Sequence, residues 1–401
     1  MRPQIVPDMW CDLTNLRSRP REIRSRKRTV LLAPVFAAAV LAATIPDCAF
    51  GWGDEGHQVV GAIADHYLDP TVRAQVNQLL AGDTTGLTSS KDILNEATWA
   101  DHYRDSDRPN GPHYKTTHTW HFVDIELSGP NLDTACFGHP TLPAGTPASS
   151  GPLNDCAIDK INAFIAELKS PSTSDDERRM AVQFLLHFVG DIHQPLHASD
   201  DNDSGGNSKN VTATGLPAGN LHHYWDTEFV QRLGTDPGTV AQQLIAATTD
   251  SQVHAWSQGT VEDWAQESFG IARDHVYGLL PTLGSNGKYA LTAAYVDDAS
   301  QVVPVQLQKA GVRLAFILNQ AMSATAPSSC TATQRAAAIP PLSGVTGIVV
   351  SASESTTGAR FSSVDTFFTS TLQFDGSDPV GLPVAVEGIL RKAGWKPNSV
   401  L

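Results

Sequence analysis

With 401 residues, of which 41% are hydrophobic and 17% charged, the chain is long enough to bury a full core, and we expect one large domain with tails. Its formal net charge of −14 argues against a broad basic groove for duplex nucleic acid, but leaves open an anionic substrate that bound cations recruit.

The first 51 residues resemble an export signal. Basic residues are concentrated in residues 1–28, and an apolar run follows over residues 30–45. This order is typical of a secretory signal, and the run is shorter than the roughly 20 residues that a membrane-spanning helix needs. The small residues Ala49 and Gly51 favour cleavage before Trp52. We therefore predict that residues 1–51 are a cleaved leader and that the mature protein is secreted or periplasmic, without a membrane anchor.

Helical spacing of apolar residues dominates the chain after the leader. It predicts helices within residues 53–68, 70–80, 91–103, 155–168, 175–194, 221–233, 240–247, 259–276 and 295–322. Residues 116–127 show short-range alternation and are predicted to form a β-hairpin, whereas residues 128–153 are rich in Pro, Gly, Ser and Thr and are predicted to form a loop. The predicted fold class is all-α, a multi-helix globular domain over residues 52–327 with a short β-hairpin.

Two further features concern the loop and the C-terminal end. Cys136 and Cys156 flank the Pro/Gly-rich loop, and in an exported protein they are predicted to form a disulfide bond. Residues 328–401 are predicted to be a C-terminal extension of the helical domain, because Pro340 and Pro341 interrupt this stretch. Its role is unknown, since it carries no recognisable chemistry.

The stretch QFLLHFVGDIHQPLH, residues 183–197, has apolar residues on every helical face and is predicted to be a helix buried in the core. His187 and Asp191 are four residues apart and therefore point the same way. Pro195 disfavours helix at Gln194, so the chain should turn there and bring His197 near the same site. Two imidazoles and a carboxylate in apolar surroundings indicate a metal.

Similar residues recur elsewhere. Asp101 is followed one turn later by Arg104, and His222 and Asp226 form a second pair at helical spacing. Imidazole and carboxylate ligands without cysteine suit catalytic zinc, and a free α-amino group is a further possible ligand at neutral pH. The candidate ligands exceed the number that one metal requires; they are Trp52 at the mature N-terminus, His57, Asp101, His121, His187, Asp191, His197, His222 and Asp226.

These residues lie in motifs that resemble those of a known family. WGDEGH, WADHYR, HFVD, LLHFVGDIHQPLH, GGN and NLHHYWD match, in order, the motifs of secreted zinc-dependent single-strand nucleases and 3′-nucleotidases of the S1/P1 type, which belong to the phospholipase C/nuclease superfamily. The resemblance covers residues 52–325. It implies three Zn²⁺ ions, of which the first is held by four side chains, namely Asp101, His121, His187 and Asp191.

The resemblance also implies ligands for the other two ions. The second is chelated by the amino and carbonyl groups of Trp52, with His57 and the shared Asp191. The third lies between His197, His222 and Asp226.

The resemblance further implies a reaction in which a zinc-bridging hydroxide attacks phosphorus in line. Single-stranded DNA and RNA would yield 5′-phosphorylated products, and 3′-nucleotides would lose their phosphate. Asp101 and Asp191 would act in catalysis, and Arg104 would contact the scissile phosphate, a role suited to its planar fork of donors. The substrate positions of the family correspond to Phe122 and Asp124, which contact the base, and to Asn207 in the GGN loop. We expect a monomer.

Two alternatives remain open. A zinc-dependent phospholipase C of the same superfamily would generally show a wider gap between its N-terminal Trp and the His partner, and Glu as its last ligand. The spacing of Trp52 and His57, and the presence of Asp226, favour the nuclease. The other alternative is a secreted zinc-binding protein without catalysis, in which Arg104 and the base-contact pair would have no purpose.

Overall fold

The computed structural model describes residues 52–323 in full, together with the backbone of residues 348–351 and 371–374. The predicted leader and most of the predicted C-terminal extension lie outside the described residues, so both assignments stay predictions. Within the described part, helices dominate and the fold is all-α, as predicted from the sequence.

The first half of the domain contains eight α-helices and short 3-10 turns at residues 118–121, 148–150 and 195–197. The helices are α1 (Asp54–Tyr67), α2 (Pro70–Ala81), α3 (Ile93–Glu96), α4 (Trp99–Asp105), α5 (Pro112–Thr117), α6 (Leu132–Ala135), α7 (Ala157–Lys169) and α8 (Asp175–Asp191). The disulfide bond between Cys136 and Cys156 joins the end of α6 to the start of α7, as predicted.

The second half combines short strands with six α-helices and two π-helical turns, Tyr224–Glu228 and Ala272–Tyr277. The remaining elements are β1 (Asn210–Thr212), β2 (Gly219–Asn220), α9 (Leu221–His223), α10 (Phe229–Gln231), α11 (Pro237–Ala247), α12 (Asp250–Trp256), α13 (Val261–Ile271), β3 (Tyr289–Ala290), α14 (Ala293–Ser323), β4 (Ile348–Ser351) and β5 (Thr371–Phe374). β1 pairs antiparallel with β2 and parallel with β3, while β4 and β5 form a separate antiparallel pair.

Helix α8 lies in the core, as its apolar pattern predicts. Ser174 caps its N-terminus by accepting a hydrogen bond from the backbone of Glu177, and the acidic residues of the first turn favour the positive end of the helix dipole. Every residue from 181 to 199 is buried, and α8 packs against α2, α7 and α14. Consequently, any polar side chain in this stretch must find its partners inside the protein.

Helices α1 and α14 pack closely beside α8 because Gly311 has no side chain. A Cβ atom at Gly311 would come within 2.5 Å of the Cβ of Ile63. This contact fixes α1, and with it His57, against the longest helix of the fold. Among the residues that the structure describes, we find no helix that combines the length and the apolar character needed to cross a membrane.

The hairpin predicted at residues 116–127 is wrong in its position. Residues up to Thr117 continue α5, and His118–His121 form a 3-10 turn. The following residues are extended, but they pair with residues 197–200: Val123 donates to the carbonyl of His197, and Asp200 donates to the carbonyl of Ile125. The alternation of apolar residues in this segment arises because Val123 and Ile125 are buried. It does not show which segment they pair with. The short hairpin of the fold is instead the pair β1 and β2.

Candidate metal centre

Helix α8 supplies the two most central side chains, His187 and Asp191. Both are fully buried, and His187 Nε2 lies 3.4 Å from Asp191 Oδ2. The Nδ1 atom of His187 lies 2.8 Å from the carbonyl oxygen of Ala97. A carbonyl can only accept, so Nδ1 carries the proton, and the Nε2 lone pair of the neutral ring points at the carboxylate. No hydrogen-bond partner is found for this Nε2 atom in the described structure, which is costly for a buried polar atom.

A first group forms where α4 and the 3-10 turn at residues 118–121 meet α8. Asp101 Oδ1 lies 3.4 Å from His187 Nε2 and 3.4 Å from His121 Nδ1, and this His121 atom is 3.1 Å from Asp191 Oδ2. All four side chains are buried. The structure therefore brings together the four residues predicted for one site. Donor atoms of Asp101, His121 and His187 lie within 4.8 Å of one another, and Asp191 Oδ2 adjoins both imidazoles.

A second group uses the other oxygen of Asp191. His57 Nε2 on α1 lies 3.3 Å from Asp191 Oδ1, and the rings of His57 and His187 stack with centroids 3.6 Å apart. Trp52 is fully buried beside this group, where its Nε1 atom donates to the carbonyl of Gly190 at 2.9 Å. The start of the predicted mature chain is thus held against the same turn of α8 that presents Asp191.

Gly190 makes this approach possible. A Cβ atom at that position would lie 2.9 Å from His57 Nδ1 and 3.7 Å from Trp52 Cδ1. Any larger residue would displace the imidazole of His57 from Asp191. Sequence reasoning did not identify this role of Gly190, although a glycine inside a buried helix pattern is a signal of close approach by another segment.

The third group consists of His197, His222 and Asp226. His197 Nδ1 donates to the carbonyl of His121 at 2.7 Å, and His222 Nδ1 donates to the carbonyl of Gly205 at 2.5 Å. In the neutral rings both Nε2 atoms therefore carry lone pairs, and they face each other across 3.0 Å. His222 Nε2 also lies 3.2 Å from Asp226 Oδ2. Two facing lone pairs beside a carboxylate need a proton or a cation between them.

Gln194 orients this third group and was missed as a site residue. Its Nε2 atom donates to Asp226 Oδ1, and its Oε1 atom accepts the backbone N–H of Leu196 at 2.6 Å. The sequence identifies Gln194 only as the residue before a helix-ending proline. A buried polar amide between two candidate ligands, Asp191 and His197, is the signal that would have drawn attention to it.

The carboxylates of the first two groups stay ionised despite burial. Burial alone would raise the pKa of Asp191, but His187 and His121 hold it well below its ordinary value. Burial likewise opposes ionisation of Asp101, whose pKa is held far below its ordinary value by Arg104 and His187. Burial would lower the pKa of His187, but Asp191 and Asp101 raise it to about 9. A cation that binds between these two ionised carboxylates would therefore take the place of the proton on His187.

The pKa values of the other two imidazoles, His121 and His57, and of Asp226 are shifted in the opposite direction. Burial, followed by the charge of Arg104, lowers the pKa of His121 to about 4, and burial and His187 lower the pKa of His57. Burial raises the pKa of Asp226 well above its ordinary value, although the hydrogen bond from Gln194 opposes this shift. Neutral imidazoles are the form that binds metals, and a bound cation would stabilise the ionised form of Asp226.

Arg104 lies at the edge of the first group. Its Nη1 atom is 2.7 Å from Asp101 Oδ1, and its Nε and Nη2 atoms donate to Asp105 at 2.8 and 3.1 Å. Only 5% of its side chain is exposed. The guanidinium is thus fixed beside the candidate ligands by two carboxylates.

The predicted substrate residues lie on segments that adjoin the groups. Phe122 follows His121 directly, is half-buried, and accepts a backbone hydrogen bond from Ala157. Asp124 is half-buried, and burial, Asp200 and Glu126 together raise its pKa to about 7.

Asn207 belongs to the loop that orients His222. Its Nδ2 atom donates to the carbonyl of Ser204 at 2.8 Å, and its Oδ1 atom accepts from Asn220 at 3.4 Å. The first contact lies within the loop, whose Gly205 carbonyl accepts from His222, and the second joins the loop to Asn220, which caps the helix that carries His222. The structure therefore ties Asn207 to the third group through its loop rather than through a contact with a candidate ligand.

The part of the chain that carries these groups is similar to known proteins. A family profile described as S1/P1 Nuclease matches residues 52–323. Nuclease S1 of Aspergillus oryzae is 29% identical over 305 residues, which is 72% of this chain and 96% of that protein. Nuclease P1 of Penicillium citrinum is 29% identical over 286 residues, covering 67% and 97% of the two chains. Endonuclease 2 of Arabidopsis thaliana is 28% identical over 288 residues, covering 67% and 90%.

Proposed function

The chain belongs to the S1/P1 nuclease family, and we propose that it is a zinc-dependent nuclease that hydrolyses single-stranded DNA and RNA to 5′-phosphorylated products. We also propose that it removes the 3′-phosphate from nucleotides. The observation that carries the proposal is the set of three buried groups whose lone pairs converge, above all the two Nε2 atoms of His197 and His222 at 3.0 Å.

The residues present fit three zinc ions, because imidazole and carboxylate oxygen are the donors of catalytic zinc sites. The proposed ligands are Asp101, His121, His187 and Asp191 for the first ion, His57 and Asp191 with the amino and carbonyl groups of Trp52 for the second, and His197, His222 and Asp226 for the third. When bound, such ions lower the pKa of water and neutralise the charge on phosphoryl oxygens.

The side chains of this chain orient the substrate. Asp191 divides its two oxygens between the first two groups and so fixes their separation. Arg104 presents a planar fork to the non-bridging oxygens of the scissile phosphate, while Asp101 and Asp105 prevent it from moving.

The flanking residues account for a preference for unpaired strands. Phe122 offers an aromatic face on which an unpaired base stacks, whereas the bases of a duplex are already stacked. The carboxyl of Asp124 offers a hydrogen bond to the edge of that base. Asn207 would contact the substrate from the loop that orients His222.

The proposed N-terminal ligand depends on export. The indole of Trp52 is anchored by its hydrogen bond to Gly190, and we propose that cleavage before this residue releases an amino group that joins His57 and Asp191 as a ligand. A chain with this ligand is active only after its leader is removed. We therefore propose a secreted or periplasmic enzyme that binds zinc fully after processing.

The test is to purify the chain that begins at Trp52, count its zinc, and assay four substrates with and without a chelator. The substrates are single-stranded DNA, RNA, 3′-AMP and phosphatidylcholine. Hydrolysis of the first three that a chelator abolishes and added zinc restores is the expected result. Hydrolysis of phosphatidylcholine alone, or zinc binding without hydrolysis, would contradict the proposal.

A further inference from the structure

A chain of ion pairs leads outward from the first group along α4. Arg104 Nη2 donates to Asp105 Oδ2 at 3.1 Å, and the same oxygen lies 3.9 Å from Arg108 Nη1. The two distances share one oxygen, so these guanidinium nitrogens are at most about 7 Å apart. Asp105 therefore holds a second arginine beside the one that adjoins the candidate ligands.

The turn between α4 and α5 fixes Arg108 in this position. Asp107 accepts the backbone N–H groups of His113 and Tyr114 at 2.9 and 3.0 Å, and so satisfies two free donors in the first turn of α5. A Cβ atom at Gly111 would lie 2.1 Å from Asp107 Cγ, so only glycine allows this contact. The guanidinium carbon of Arg108 lies over the ring of Tyr114, 5.6 Å from its centroid, which adds a cation–π attraction.

Aromatic stacking ties this turn to the helix that carries Asp101 and Arg104. The ring of Tyr103 stacks on Trp99 with centroids 4.6 Å apart, and on its other side it stacks on His113 at 4.1 Å. The start of α5 therefore cannot move independently of α4. Arg108 is a positioned cation rather than a freely rotating surface side chain, although 21% of its side chain is exposed, compared with 5% for Arg104.

We propose that Arg108 binds the phosphodiester next to the scissile one in a single-stranded substrate, and that it thereby favours polynucleotides over substrates with one phosphate. This inference rests on the proposed function. Successive phosphates of one strand of B-DNA rise about 3.4 Å along the axis, and an unstacked strand extends further, so two arginines separated by at most about 7 Å suit neighbouring phosphates. In a chain with a net charge of −14, such a local pair of cations adds to the attraction that bound metal ions would exert on a polyanion.

The test compares Arg108→Gln with the unchanged mature enzyme on two substrates made of the same base. A dinucleoside monophosphate contains only the scissile phosphate, whereas a longer oligoadenylate also contains its neighbours. We expect kcat/KM of the variant to fall about tenfold for the oligonucleotide and to stay within about twofold for the dinucleoside monophosphate. The logarithm of kcat/KM for the oligonucleotide should depend less steeply on the logarithm of salt concentration, by about 0.7.

A third substrate tests the contact between Arg108 and the neighbouring phosphate by itself. An oligoadenylate whose linkages beside the scissile phosphate are uncharged methylphosphonates should be hydrolysed equally well by Arg108→Gln and by the unchanged enzyme. Arg108→Lys should recover part of the oligonucleotide activity because it restores the charge. Thermal unfolding of each variant establishes that it is folded before kinetics are compared.

Arg179→Gln is the matched control. Arg179 also pairs with an acid three residues earlier, Asp176, but it lies twelve residues before Asp191 in α8, which is about 18 Å along the helix. This variant should leave both substrates unaffected.

Equal losses on both substrates would show that Arg108 acts only through Asp105 and Arg104, and would overturn the inference. So would an unchanged oligonucleotide rate. If the unchanged enzyme hydrolyses neither substrate, the proposed function itself fails and this inference fails with it.

Discussion

The first two groups of the centre and the third group are held by different means. His187 and Asp191 project from α8 in a stretch where every residue is buried, so helix packing fixes them, and a hydrogen bond to the Ala97 carbonyl orients the ring of His187. His222 and Asp226 lie instead on a three-residue helix and a π-helical turn, and His197 lies on a 3-10 turn. Hydrogen bonds from irregular segments orient this third group. Because the third group is held separately from the first two, we expect a substitution in one region to remove the ions of that region and to leave those of the other.

Asp191→Asn is the change with the largest expected effect, because it removes the charge that the first two groups share. We expect kcat to fall by more than about a thousandfold and the zinc content to fall while the third group keeps its ion. Turnover of single-stranded DNA and elemental analysis measure the two effects. Retention of all three ions would refute the shared role of Asp191.

A single alanine added before Trp52 should have the next largest effect. It moves the amino group away from its proposed place beside His57 and Asp191 without changing any side chain of the centre. One zinc and most of the activity should be lost, by about a hundredfold, in comparison with the chain that begins at Trp52. Unchanged metal content and turnover would exclude the N-terminal ligand.

Arg104→Ala tests catalysis separately from metal binding. The guanidinium contacts Asp101 but contributes no lone pair to any ion, so three zincs should remain while kcat falls by about a hundredfold. Zinc content and kcat are measured on the same preparation. Loss of zinc instead would mean that Arg104 serves only to hold Asp101 in place.

Gln194→Leu should have the smallest effect, and this effect should be limited to the third group. Without the donor to Asp226 Oδ1, the affinity for one ion should fall by about ten- to a hundredfold, while the other two ions stay bound. Titration with a competing chelator measures this difference. Gln183→Leu is the matched control, because Gln183 donates to Glu96 outside the three groups. Equal effects of both variants on zinc would contradict the assignment.

The contrast between the two regions also explains what the sequence could predict. The spacing of His187 and Asp191 in an apolar stretch predicts a buried helix with both side chains on one face, and the structure has this helix. His222 and Asp226 have the same spacing, and the structure again brings them together, but with His222 on α9 and Asp226 on the π-helical turn that follows. Local periodicity carries such information because it depends on neighbours within one or two turns.

Contacts between distant segments could not be predicted in the same way. Residues 116–127 alternate like a hairpin, yet Val123 and Ile125 pair with residues 197–200. Gln194 reaches Asp226 across 32 positions, and Gly190 accommodates His57 from another helix. Nothing in the neighbouring sequence specifies such partners, because they are set by how the helices pack.

Anomalous diffraction at the zinc edge, from crystals of the chain that begins at Trp52, would locate the ions that the three groups are proposed to bind. We expect three peaks: one among Asp101, His121, His187 and Asp191, one between His57, Asp191 and the amino group of Trp52, and one among His197, His222 and Asp226. The absence of a peak from the site between His197 and His222, or a single ion shared by all the groups, would contradict the proposal.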